Sequence, residues 1–100
     1  MKPSTLLKRK GIKPEESILL ITAEEALENI LETIDEYCPN LQIGKMTKKD
    51  ISTLLNNYAD CVYNYHPESQ HQERAVLLKN FDMLKQYGMT EDDYEALDFC

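Results

Sequence analysis

One hundred residues, 42% of them hydrophobic and 29% charged, suffice for one globular domain whose core is possible without metal or disulfide staples, and exclude a disordered chain. Three glycines, four prolines and no tryptophan leave little of the turn chemistry that a multi-stranded sheet or a glycine-rich phosphate loop consumes, so helices are the expected element. The net charge of −7 is unevenly spread: residues 1 to 14 carry five bases and no acid, residues 15 to 43 eight acids and no base, and the last eleven residues five acids and no base. An acidic body repels phosphate backbones and anionic membranes, which disfavours nucleic acid and membrane as partners and favours a basic surface.

The chain opens with a basic segment, 1 to 14, expected to be docked on or flexibly attached to an acidic helical domain, 15 to 100. Ser4 to Lys10, closed by Gly11, offers one or two helical turns, and Leu6, Leu7 and Ile12 give the segment an apolar side that favours docking. No apolar run matches a signal peptide or the roughly 20 residues of a membrane span. The stretch from Leu6 to Ile18 resembles a helix-turn-helix in outline, with a short basic helix, Gly11 and Ile12 in the turn, and a second helix beyond. The resemblance covers under a fifth of the chain and implies phosphate contacts from Lys8, Arg9, Lys10 and Lys13, whereas Glu15 and Glu16 depart from it by opening the recognition helix with acids.

Residues 15 to 21 read as a short helix or as an extended piece. Thr22-Ala23-Glu24-Glu25 is a capping box, and Leu20, Ala23, Leu27, Ile30, Ile34 and Tyr37 then recur at spacings of three and four until Pro39 stops the helix. Its other face carries Glu24, Glu25, Glu28, Glu32, Asp35 and Glu36. Met46-Thr47-Lys48-Lys49-Asp50-Ile51 starts the next helix with Thr47 as cap and Met46 and Ile51 as a hydrophobic staple. That helix runs from 48 to about 65 with Ile51, Leu54, Leu55, Tyr58, Cys61, Val62 and Tyr65 inward.

A further helix is expected after His66-Pro67, or from a Ser69/Gln72 box, with Leu77, Leu78, Phe81, Leu84 and Tyr87 as its stripe and Gly88 as a left-handed cap that brings Met89 against Leu84. Thr90 and Asp93 cap a short last helix, with Met89 and Tyr94 as staple and Glu91, Asp92 and Asp93 in its first turn. The Met-Thr-x-x-Asp-apolar-x-x-Leu pattern occurs at both 46 and 89, as two uses of one start signal. The fold class expected is all-α: a small irregular bundle of three main helices, a short C-terminal helix and a short N-terminal one.

Motifs for chemistry are sparse. Cys61, His66 and His71 lack the fourth ligand and paired spacing of a structural zinc site, so no metal or other cofactor is expected. Three unpaired cysteines, Cys38, Cys61 and Cys100, suit reduced thiols in a cytoplasm, and none lies in a recognisable nucleophile motif. The pairs Glu28/Glu32 and Glu32/Glu36 are more simply a solvated face than an acid-base pair. Tyr63 points to the polar side of its helix with Ser52, Asn56 and Asn57, in the composition of a binding patch. The reading that follows is a non-enzymatic acidic interaction protein, of inhibitor, immunity or adaptor type, binding a basic surface through Glu24, Glu25, Glu28, Glu32, Asp35, Glu36, Tyr63, Glu91, Asp92 and Asp93. In size and charge it resembles small acidic proteins of phages, mobile elements and toxin-immunity pairs. Self-association stays open, and the alternative is a transcriptional regulator that uses Lys8, Arg9, Lys10 and Lys13 on nucleic acid.

Overall fold

A computed structural model describes residues 2–64 and 72–98. Among them the chain is mainly helical, with one two-stranded hairpin between the first two helices. Helix α1 (Pro3–Arg9) starts on a proline at its first turn and ends on Gly11 at φ +79°. The end is a Schellman motif: Ile12 N–H donates to Leu7 at 2.8 Å and Gly11 N–H to Lys8 at 3.1 Å. Leu6, Leu7 and Ile12 are buried in the main core, and α1 packs on α2.

Of the two readings open for residues 15 to 21 the structure takes the extended one, so the second helix that the helix-turn-helix resemblance implies is not formed. Residues 17–22 form the antiparallel pair β1 (Ser17–Ile18) and β2 (Ile21–Thr22), with Ile18 opposite Ile21 and Leu19-Leu20 as the turn. The physical reason lies in the hydrogen bonds. The carbonyls of Glu16 and Pro14 accept from Ala23 and Glu24 N–H, each at 2.9 Å, and Thr22 Oγ1 accepts from Glu25 N–H at 3.2 Å. Three of the donors left without partners at the start of α2 (Ala23–Tyr37) are thereby satisfied by the segment that a second helix would have occupied. Leu20 is consequently no part of the α2 stripe: it sits at the hairpin tip, 87% exposed.

Helix α2 is the hub, touching α1, α3, α4 and α6 through Ala23, Ala26, Leu27, Ile30 and Ile34. After Cys38 and Pro39 the chain passes through a 3-10 turn (Ile43–Lys45) to α3 (Lys48–Asn64), where Asp50 N–H donates to Thr47 Oγ1 at 3.1 Å and both staple residues, Met46 and Ile51, are fully buried. The Asp50 carboxylate accepts from the Tyr87 hydroxyl, tying α3 to the far end of the chain.

The single helix expected up to Tyr87 is broken into α4 (Gln72–Lys79), α5 (Phe81–Leu84) and a 3-10 turn (Lys85–Tyr87). The break falls at Asn80, whose side-chain amide donates to the Val76 carbonyl at 2.8 Å and accepts from Asn57 at 3.0 Å. A side chain that bonds the backbone carbonyl four residues back competes with the helix ladder and bends it. The starts proposed at Pro67 and Ser69, and Tyr65 as an inward residue, lie outside the described residues.

Gly88 (φ +112°) closes the segment as expected, with Met89 N–H on the Leu84 carbonyl at 3.2 Å and Gly88 N–H on Lys85 at 3.3 Å. Helix α6 (Glu91–Asp98) then opens on a complete capping box, with Asp93 N–H on Thr90 Oγ1 at 3.1 Å and Thr90 N–H on Asp93 Oδ2 at 3.0 Å. Met89 is buried as the staple requires, but Tyr94 stays at the surface and packs on Phe81, ring centroids 4.8 Å apart.

Candidate interaction surface

The acids of α2 share one face because helical geometry places them there. At roughly 100° per residue, Glu24, Glu25, Glu28, Glu32, Asp35 and Glu36 fall within an arc of about 120°, opposite the buried stripe. All six are exposed. None has an ion-pair partner among the described residues. Asp35 and Glu36 stand in the last turn, which holds no basic residue, so the helix dipole opposes them. On α6, Glu91 and Asp92 are exposed, whereas Asp93 is half-buried and occupied as the partner of Thr90.

The bases of the N-terminal segment do not meet the acids of α2. Lys8, Arg9 and Lys13 are exposed and Lys10 is half-buried, yet no ion pair joins Lys8, Arg9 or Lys10 to residues 24–36 among the described residues. Burial of Leu6, Leu7 and Ile12, the apolar side on which docking is expected to rest, holds α1 against the bundle.

Tyr63 is 68% exposed on α3, as its helical position implies. The structure brings to it Leu19 and Leu20 of the hairpin tip, of which the periodicity assigns Leu20 to the α2 stripe. Leu19 is 54% exposed and has φ +59°, a left-handed value that branched and bulky side chains avoid. The hint in the sequence was the apolar run Ile18-Leu19-Leu20-Ile21 immediately before a capping threonine, too long to face one side of a helix start. Of the amides grouped with Tyr63, Asn56 is exposed and Asn57 is taken by Asn80.

Between the hairpin and α3 lie two adjoining hollows of about 390 and 420 Å³. Glu16, Ser17, Asn56 and Asp60 give the first its polar wall, and Leu20, Ile21, Val62 and Tyr63 give the second an apolar one. Leu19 lines both.

Elsewhere the polar groups are occupied by structure. Asn29 Nδ2 donates to the Tyr58 hydroxyl at 3.1 Å, and that hydroxyl donates to Glu73 Oε1 at 2.9 Å, joining α2, α3 and α4. Burial, and secondarily the Glu73 carboxylate, keeps the Tyr58 phenol protonated well above its usual range. The Arg74 guanidinium lies over the Tyr37 ring, 4.3 Å from its centroid. Burial, assisted by Asp93, pushes the Cys38 thiol up to about 11, and burial also raises Cys61, so both are held as thiols and neither is poised as a nucleophile. Among the described residues no group of three His, Cys, Asp or Glu side chains could hold a metal ion, and no helix is long and apolar enough to cross a membrane. His66, His71 and Cys100 lie outside those residues. No protein-family model matches the chain, and neither do any curated protein or solved structure.

Proposed function

We propose that the protein is a non-enzymatic, cytoplasmic interaction module of inhibitor, immunity or adaptor type, whose partner is a protein with a basic surface. The observation that carries this reading is the outward face of α2, six carboxylates on one arc without ion-pair partners among the described residues. Two of them stand where the helix dipole opposes acids, at about 0.3–1 kcal/mol each, a cost that a partner's positive charge would reverse. Such a face steers an oppositely charged protein and accelerates its encounter by roughly tenfold or more at low salt. With Cys38 and Cys61 held as thiols and Tyr58 locked between Asn29 and Glu73, none of these groups is arranged as a catalyst.

The test uses the chain as bait in extract of the native host, beside a variant carrying E24Q, E28Q, E32Q and E36Q. Capture of a basic protein that weakens with salt and is lost in the variant is the expected result. Equal capture by both baits would overturn the reading. Salt-sensitive retention of nucleic acid, lost when Lys8, Arg9, Lys10 and Lys13 are neutralised, would replace it with the regulator.

A further inference from the structure

We infer that the trough between the β1–β2 hairpin and α3 is a docking groove for a peptide segment of the partner in which a bulky aliphatic or aromatic side chain stands close to a lysine or arginine. The inference rests on the interaction reading above and specifies the chemistry that this surface takes. The two hollows share Leu19 as a lining residue and both lie against α3, from Ser52 at one end to Tyr63 at the other, and we take them together as one trough. That stretch of helix is about 16 Å long, the reach of roughly five residues of extended peptide or three helical turns.

Its two halves differ in chemistry. The apolar half, with Leu20 and Tyr63 at its rim, offers a large side chain a place out of water. The other half presents the carboxylates of Glu16 and Asp60, neither of which has an ion-pair partner among the described residues. An ammonium or guanidinium group is the complement such a wall selects. A scattered exposed leucine needs no explanation, but here the exposed pair is carried on a strained turn. A two-residue hairpin turn with positive φ at its first residue favours glycine there, and this chain places Leu19 at that position. Strain of about 1–3 kcal/mol, retained to project an apolar side chain into solvent, indicates that the side chain serves something other than the fold.

A second copy of the chain is a poor occupant. Seating its hairpin in this trough would bring its own Glu16, Glu24 and Glu25 toward Glu16 and Asp60 in a molecule of net charge −7.

The experiment pans a phage-displayed library of random dodecapeptides on the full chain and measures the recovered peptides, made synthetically, by fluorescence anisotropy. Recovered sequences should pair a large apolar residue with Lys or Arg within about four positions, a spacing that fits the trough. Leu20→Ser and Tyr63→Ser should each weaken binding by about tenfold or more, and Asp60→Asn by several-fold with a flatter salt dependence. Leu19→Gly should weaken binding while the melting temperature holds or rises, a combination that a purely structural role would not give. Recovery of no peptide, peptides without the pattern, or affinities indifferent to Leu20→Ser would overturn the inference. So would a concentration-dependent dimer of the free chain that Leu20→Ser dissolves, since a second copy would then be the occupant. The four-glutamine variant of α2 separates the two proposals. If it loses the host partner while the trough variants keep it, the trough is wrong and the acidic face stands. If the trough variants lose both peptide and partner and the α2 variant keeps them, the trough stands and the acidic face is wrong.

Discussion

Gly11 and Gly88 both end helices at positive φ, but their surroundings differ. A Cβ on Gly11 would find only the flexible end of Lys48, 4.0 Å away, whereas one on Gly88 would lie 2.7 Å from the Asn40 backbone carbonyl oxygen. Gly11→Ala should therefore cost about 1 kcal/mol, the ordinary penalty of a left-handed alanine. Gly88→Ala should cost distinctly more, because the 38–42 loop is fixed by Gln42 N–H on the Tyr87 carbonyl at 2.8 Å and cannot withdraw freely. Urea unfolding of the two variants checks the order, and equal losses would mean that the loop yields. Burial of Cys38 couples stability to pH. Its thiol is raised to about 11 in the folded chain from an ordinary value of 9.0, so the fold favours the protonated form. The stabilisation is complete below about pH 9 and is lost as pH rises toward 11. In a Cys61→Ser, Cys100→Ser background, melting temperature should fall over that window more steeply with Cys38 than with Cys38→Ala.

At the scale of elements, caps and breaks differ in how local they are. The Thr90–Asp93 box is closed on both sides by residues three apart, so Thr90→Ala should cost about 1 kcal/mol in chemical denaturation, with α6 loosening first in hydrogen exchange. The related box at Thr47 is closed on one side by Asp50 N–H, while the Asp50 carboxylate is engaged by Tyr87 from another part of the chain. The same local pattern thus serves two different purposes. Asn80 shows the converse: nothing in its immediate neighbours announces a helix break, because its partner Asn57 lies 23 positions away on α3.

For the molecule as a whole, α1 is the element whose place matters most to the reading. Leu6 and Leu7 are fully buried and Ile12 nearly so, and burying such side chains contributes about 1.5–3 kcal/mol each, against at most about 1 kcal/mol for an exposed ion pair. Deleting residues 1 to 13 should lower the melting temperature appreciably, and salt should change that loss little because no ion pair among the described residues carries it. Duplex DNA binding should be absent before and after deletion. A salt-sensitive DNA interaction lost with the segment, and an unchanged melt, would favour the regulator instead.

The sequence by itself determined the helical class, the acidic face of α2, the caps at Thr22, Thr47 and Thr90 and the left-handed ends at Gly11 and Gly88. All of these rest on bonds within a few residues or on a helical period, so the information lies next to the residues that use it. Only the tertiary structure decided that residues 14–16 lend their carbonyls to the start of α2, that residues 17–22 turn back as a hairpin, and that Asn80 bends the fourth helix toward Asn57. It alone placed Leu19 and Leu20 beside Tyr63, more than 40 positions along the chain. Leu20 fits the α2 spacing as well as it fits a hairpin tip. The choice between them was made by which backbone groups needed partners at the helix start, a long-range competition that periodicity does not record.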